Sequence, residues 1–481
     1  MPLAPEVALF ALAVLVLLAG LVRPHSTTAQ GAPSVVEGPG RAIGWIAFAG
    51  LMVVLGLLMV APEGQVLFGG TFVQDALALF AKRLFVGAAA LSLLGSLTMG
   101  HAAFDRRASE YHFAILVSLL GMMVLASARE LILLFVAFEL MSIPLYVLTG
   151  FLKRDAVAPE AALKFFLVGT VSSAVIAYGM SFIYGATGGT ELAMIPQAVR
   201  DGHPSVLLGM GLLLAGLGFK IAAFPFHMWA PDSYEAASTP FVAWLSVAPK
   251  TAGFVAIIRI YLEGLGTTAE IWMPILATLA GMTIVTGNLM AIPQRNIKRL
   301  LAYSGVAHIG YMLIGIAAVS TAGVAMLLFY LLAYLFGNMG AFLVVEAVAR
   351  SEQSDGIDAY RGLAQRSPLL ALAMLVFLLS LGGIPFVAGF WAKLYIFLAA
   401  AERGMYGLVF LGAILTVVAL YYYLLVARRM YIEAPPRREP VPMPGLLGAA
   451  IAVCAIGVVG IGVYPGPWVT IAERVASTLF P

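Results

Sequence analysis

The sequence predicts an all-α polytopic membrane protein of about fourteen transmembrane helices. Three observations carry that reading. The 481 residues are 62% hydrophobic and 11% charged, with a mean hydropathy of +0.99, whereas soluble domains carry roughly 25% charged residues. Apolar windows long enough to cross a hydrocarbon core ~30 Å thick recur along the whole chain. The connections between them are short, which leaves no room for an inserted soluble domain.

In chain order the windows fall at 5–22, 42–61, 80–100, 111–128, 131–151, 161–184 and 205–226. They continue at 239–262, 271–292, 299–319, 322–348, 368–400, 405–427 and 444–464. The start "MPLAPEVALF" has no basic segment ahead of its apolar stretch, so the first window reads as a retained span and not a cleaved leader. "YGATGGTEL", from Tyr184 to Leu192, carries a glycine pair and reads as a turn. The longest connection, Arg350 to Pro368, is still only a loop, and no strands are expected. Spans four to eight and nine to thirteen match in the placement of their interruptions. That divides the chain into 1–110 (three helices), 111–262 and 263–432 (two five-helix repeats) and 433–481 (the last helix and a tail).

Of the 27 Lys and Arg residues, sixteen lie in odd-numbered connections, Lys153, Arg154 and Arg295 among them. Six, including Lys82 and Arg83, belong to even connections, their helix ends and the tail. Positive charge marks the cytoplasmic side, so both termini are expected on the opposite side. The net charge of +3 is small, and its basic residues sit in loops, which excludes nucleic acid as a natural partner. Cys454, the single cysteine, allows no intrachain disulfide and no thiolate cluster.

Five basic residues remain. Arg259 is near a helix end and can snorkel to the headgroups. Lys164, Lys220, Lys250 and Lys393 sit well inside predicted spans, with Glu139 and His308, while Glu346 lies toward the end of its helix. A charged side chain at mid-span costs about 2.5–3.5 kcal/mol on the insertion scale and usually faces a cavity or a partner. Structural ion pairs would balance the two signs, and four deep lysines against one deep glutamate do not. Desolvation favours the neutral form of either type, so a series of such groups suits proton relay. A lone membrane histidine is often just hydrogen-bonded between helices. The position of His308 among lysine-bearing spans favours the relay.

Two spans are interrupted beside a lysine. "GLGFKIAAFPFHMWAPDSYEAASTPF" places Lys220 ahead of Pro225, Pro231 and Pro240, and "LLSLGGIPFVAGFWAKLY" places Gly382, Gly383 and Pro385 ahead of Lys393. Broken backbone at membrane depth is tolerated around protein-lined or hydrated cavities. A pair of such spans five apart is a mark of inverted-repeat transporters. Asp232, Glu235 and His227 follow the first break and read as interfacial capping or pairing groups. No ligand set for a metal, no P-loop and no dinucleotide fingerprint is present, so the energy must come from an ion gradient or a partner.

The segments "FELMSIPLYVL", "EAALKFF", "GFKIAAFPFHMWAPDSYEAA", "APKTAGF", "AIPQRNIKRLLAYSGVAHIGYML" and "SLGGIPFVAGFWAKLYIF" closely resemble the antiporter-like membrane subunits of NADH-quinone oxidoreductase, respiratory complex I. The resemblance runs from about Ala114 to Ile432 and is nearest the subunit N branch, by moderate length, by the lack of a long lateral helix and by the lysine of "GFWAK". It implies two inverted five-helix repeats (helices 4–8 and 9–13) with helices 7 and 12 broken. It implies Glu139 and Lys220 as a coupled pair, Lys250 as the connecting lysine, His308 continuing the axis, Lys393 on the exit side, and Lys164 as the additional lysine of span six. It implies a bacterial cytoplasmic membrane, an M-type antiporter-like subunit on one side and K/J-type small subunits on the other. FMN, iron-sulfur clusters and quinone would sit in other subunits, with no cofactor in this chain. The alternative is an Mrp-type cation/proton antiporter subunit, which shares the fold; a purely structural scaffold would need none of the deep lysines.

Overall fold

The computed structural model describes residues 2–22, 39–99, 102–152, 157–200 and 203–480. Arg23, Lys153 and Arg154, counted in the charge asymmetry, lie outside them. Among the described residues, thirteen helical segments are long and apolar enough to cross a membrane. The first six spans are Ala4–Leu21, Pro39–Val60, Ala76–Ser96, Ala108–Ser127, Leu131–Thr149 and Val157–Thr187. Span seven is Pro204–Ile221, resumed as Trp229–Ala236. Span eight, Thr239–Gly264, is jointed at residues 246–247 and ends in a π-helical turn, Ile258–Gly264. Spans nine to eleven are Ala269–Ala291, Ile297–Ala317 and Thr321–Glu352. Span twelve is split into Pro368–Gly382 and Ala388–Glu402, each too short to cross alone. Tyr406–Tyr431 and Gly445–Val463 complete the set.

Spans eight and ten are enclosed along their whole length, whereas spans one, two, six and thirteen are about one-third buried. The middle of the molecule is therefore built from the helices that carry Lys250 and His308. Side-chain caps fix where several spans begin: Asp75 accepts from Ala78 N at 2.9 Å, Glu130 from Leu133 N at 2.6 Å, and Asn296 from Lys298 N at 2.8 Å. Each such cap contributes about 1 kcal/mol. Backbone bonds join connections of equal parity. Leu131 N donates to Thr190 O and Arg129 N to Thr71 O on one face, while Ile297 N donates to Asp355 O and Gly362 N to Arg429 O on the other. The second face holds Arg295, Arg361, Arg366, Arg437 and Arg438, and we call it the basic face.

Both breaks close with the same hydrogen-bond motif. After Ile221, Ala222 turns left-handed (φ 62°), its N donating to Phe219 O at 2.9 Å and Ala223 N to Gly218 O at 2.8 Å. After Gly382, Gly383 is left-handed (φ 81°), its N donating to Ser380 O at 3.0 Å and Ile384 N to Leu379 O at 3.0 Å. This pattern satisfies carbonyls that a helix end leaves open. Glycine takes the second position without the steric cost of a Cβ. The equivalent closure five spans apart is the structural counterpart of the repeat.

Three expectations are corrected here, and the tail gains a short helix. Span three starts at Ala76, not 80, because Asp75 caps it and because Lys82 is not a helix-end residue. Lys82 is fully buried, with Nζ 2.6 Å from Glu6 of span one, and Arg83 turns to the Leu58 carbonyl at 3.0 Å. Arg259 does not snorkel. It is fully buried and bonds Asp75 at 2.6 and 2.7 Å and Glu263 at 2.5 Å, with Arg129 3.0 Å from Glu263. Burial raises the Asp75 carboxyl, but the Arg259 guanidinium, the Ala78 N–H and Arg129 together outweigh it and hold Asp75 below the ordinary carboxylate range. A short hairpin, Gln65–Leu67 with Phe72–Gln74, occupies the second connection; three-residue strands are too short to leave an alternating pattern. The tail carries a twelve-residue helix, Gly466–Ser477, whose buried Ala472, Val475 and Ala476 share one side.

Candidate functional site

Span five brings Glu139, Ser142 and Tyr146 to one side, at spacings that stack residues on a single helix face. Lys220, in the last turn before the first break, points at them. Its Nζ donates to Ser142 Oγ at 2.8 Å and Tyr146 OH at 3.3 Å and lies 3.7 Å from Glu139 Oε1. Ser173 of span six donates to that same carboxylate oxygen at 2.5 Å. Lys220 is buried, while the Glu139 side chain keeps 27% of its surface open at the edge of the molecule. The pair thus has one interior member and one rim member.

Lys250 follows the joint in span eight and is 2% exposed. Its Nζ sits 5.4 Å from the centre of the Tyr234 ring and has no hydrogen-bond partner among the described residues. Gly305 of span ten makes room for it: a Cβ there would stand 3.1 Å from Lys250 Nζ and 2.9 Å from Tyr334 OH. One turn further along span ten is His308, with Nδ1 2.7 Å from Tyr330 OH and Nε2 3.4 Å from Tyr423 OH. Tyr423 also bonds Ser304. Another turn on is Tyr311, and Lys393 Nζ lies 4.8 Å from the centre of its ring.

Lys393 emerges from the second half of span twelve and folds back onto the end of the first. Its Nζ donates to Leu381 O at 2.9 Å and Gly382 O at 3.5 Å. A cation there meets the negative end of a helix dipole. Lys250, His308, Tyr311 and Lys393 therefore form a row along span ten. Its hydroxyl, imidazole and amine groups can each take and give a proton.

Lys164 does not join this row. It lies in the second turn of span six, its side chain 54% exposed, paired with Glu160 at 2.8 Å and Asp232 at 3.6 Å. The window 161–184 placed it within a span but could not tell which side of the helix is covered; on Val157–Thr187 its side chain faces outward. Asp232 and Glu235 pair as expected, each 2.8 Å from Arg299 Nη1. Among the described residues, no three His, Cys, Asp or Glu side chains gather as a metal ion requires.

The sequence profile of the NADH:quinone oxidoreductase/Mrp antiporter transmembrane family matches residues 128–419, more than half of the chain. The chain belongs to this family. It is 41% identical to NADH-quinone oxidoreductase subunit N of Moorella thermoacetica over 478 residues, covering 99% of this chain and 98% of that one. Subunit N of Heliobacterium modesticaldum is also 41% identical, over 90% of this chain and 93% of that one. A chain of respiratory complex I from Thermus thermophilus superposes with a TM-score of 0.81 at 33% identity, covering 98% of this chain and 99% of that one. A chain of the Mrp complex from Dietzia sp. gives 0.86 at 21% identity, over 100% and 98%, a likeness of fold alone. Within this family fold, sequence reasoning missed the Glu6–Lys82 pair and the tyrosines around His308. A carboxylate at position 6 and tyrosines at 330, 334 and 423 were visible, but only packing tells which face each other.

Proposed function

We propose that the chain is a proton-translocating membrane-arm subunit of an NADH-quinone oxidoreductase. Electrons pass from NADH to quinone in other subunits, which hold the FMN, iron-sulfur clusters and quinone. This chain moves protons through Glu139, Lys220, Lys250, His308 and Lys393. Glu139 and Lys220 act as the coupled pair, Lys250 connects the repeats (111–262 and 263–432), and Lys393 is the exit-side group. Lys164 steadies Asp232 at the edge. An M-type antiporter-like subunit flanks one side and K/J-type small subunits the other. The observation that carries this reading is the placement of three buried lysines at two helix breaks and a helix joint, linked by hydroxyls and an imidazole. The Mrp-type reading shares the fold but rests on 21% identity, against 41% to subunit N.

Lys393→Arg tests the relay. Guanidinium keeps the charge and the donors that face Leu381 and Gly382 carbonyls, but it does not give up its proton in proteins. Proton uptake by sealed membrane vesicles, driven by NADH, is expected to fall by about tenfold or more, with the complex assembled. Normal uptake would remove Lys393 from the path.

In this reading the basic face is cytoplasmic, by the excess of Lys and Arg, and both termini lie outside. In a Cys454→Ser background, Arg295→Cys and Glu439→Cys are expected to resist an impermeant thiol reagent in intact cells. Glu63→Cys, on the opposite face, is expected to label readily. The reverse pattern would invert the topology.

A further inference from the structure

Glu346, near the basic-face end of span eleven, takes no part in the row above, yet it is 8% exposed. It lies at a cavity of ≈ 580 Å³, lined also by Ser238, Thr239, Lys298, Ala349 and Arg350. Thr239, Lys298 and Arg350 are all near enough to act on its charge. Lys298 is itself held by Asp355 at 3.0 Å and the Ala237 carbonyl at 3.4 Å.

From Glu346 a stripe runs inward along span eleven at four-residue spacing, through Phe342, Asn338 and Tyr334, which places all four on one helix face. Twelve residues at 1.5 Å each give a stripe ~18 Å long, more than half of a ~30 Å hydrocarbon core. Asn338 donates to Ser246 Oγ at 2.6 Å, at the joint of span eight, and its Oδ1 is buried without a partner. Tyr334 OH and Tyr234 OH are likewise buried and unpartnered, and both stand beside Lys250. Buried polar groups of this kind ordinarily have hydrogen-bond partners, and Asn338, Tyr334, Tyr234 and Lys250 supply four that have a polar atom without one. Phe342, edge-on to Tyr234 with centroids 5.8 Å apart, is the apolar narrow point of the stripe.

We propose that this stripe is a proton inlet from the basic face, with Glu346 as its loading residue. The Glu346 carboxylate takes a proton from water or buffer in the cavity. That proton passes inward along water hydrogen-bonded to Asn338 and the tyrosine hydroxyls to the neutral amine of Lys250, and the carboxylate is regenerated. This deepens the relay reading and rests on it.

The test uses inverted membrane vesicles containing the whole complex, in a Cys454→Ser background. Glu346→Gln is expected to lower NADH-driven proton uptake by about tenfold, and Glu346→Asp, which keeps the titratable group, to restore most of it. Ala349→Cys, treated from the outer face of the vesicles with an impermeant thiol reagent, is expected to lose uptake as the cavity is plugged. Normal uptake in Glu346→Gln, failure of aspartate to restore it, or an unlabelled or unaffected Ala349→Cys would overturn the inlet. Glu439→Cys in the same vesicles reports orientation, and Lys393→Arg reports the relay, so failure of either is separable from failure of the inlet.

Discussion

Lys250→Ala is expected to abolish most proton uptake while leaving the assembled complex as stable as before, or more so. The argument turns on what the side chain lacks. Its amine is buried, 5.4 Å from the centre of the Tyr234 ring, and has no carboxylate and no hydrogen-bond partner among the described residues. A buried amine without a partner is a net cost to folding, neutral or charged, so deleting it removes that cost, against a small loss of packing. A lysine kept for structure would behave in the opposite way, lowering stability on removal with activity following. Proton transfer loses its acceptor between Lys220 and His308, and a positioned acid–base group contributes roughly a hundredfold to such a step. Lys220→Ala is expected to lose uptake similarly, with a modest stability cost because Glu139 is left without its cation. That cost should be smaller than the about 3–5 kcal/mol of a fully buried broken pair, since Glu139 is 27% exposed. Thermal unfolding of the detergent-solubilised complex, measured beside vesicle uptake, separates the cases. A Lys250→Ala complex that pumps normally, or one that is clearly less stable, would refute the relay role.

The sequence reveals Lys220, Lys250 and Lys393 for a simple physical reason: each interrupts an apolar run that is otherwise long enough to cross. The breaks were legible because Pro and Gly are written into the chain at 225, 231, 240, 382, 383 and 385. Lys82 was not legible in the same way. It falls early in an apolar run, so it reads as a helix end until Glu6, seventy-six positions away, is seen 2.6 Å from it. Arg259 failed likewise, because Asp75 and Glu263 draw it inward from a connection and a π-turn that no periodicity announces. Lys164 erred the other way: hydropathy places a residue along a span but does not say which side of the helix is covered. His308 was legible as an ionisable group in a span, but its tyrosine partners come from spans eleven and thirteen and become visible only through packing.

Glu139→Gln is expected to slow proton uptake several-fold without preventing assembly. The amide keeps the shape of the carboxylate and can still accept the Ser173 hydrogen bond, made at 2.5 Å to Oε1. It cannot carry the charge. Lys220 has neutral partners at 2.8 and 3.3 Å that hold its position whatever Glu139 does, so the glutamate is not needed for placement. At 3.7 Å its contribution is chiefly electrostatic, and attraction between the two groups is strong at low effective dielectric. On the outer side Glu139 shares its helix face with Val136 and Ile143, both 55% exposed. A contiguous apolar face of this sort is where lipid or a neighbouring subunit would lie. A carboxylate between a buried ammonium and an open face has two places to rest. Paired with Lys220 it stabilises the ammonium; swung outward it leaves Lys220 to release its proton. In the proposed relay this switch rests on charge and not on bulk, which would account for the costly carboxylate in "LLFVAFELMSIPLYVLTGF". Glu139→Asp, one methylene shorter, is expected to retain more uptake than Glu139→Gln, since a charge acts across a gap that a hydrogen bond cannot. Equal uptake by the wild type and Glu139→Gln would refute the switch and leave Glu139 as a polar rim group bound to Ser173.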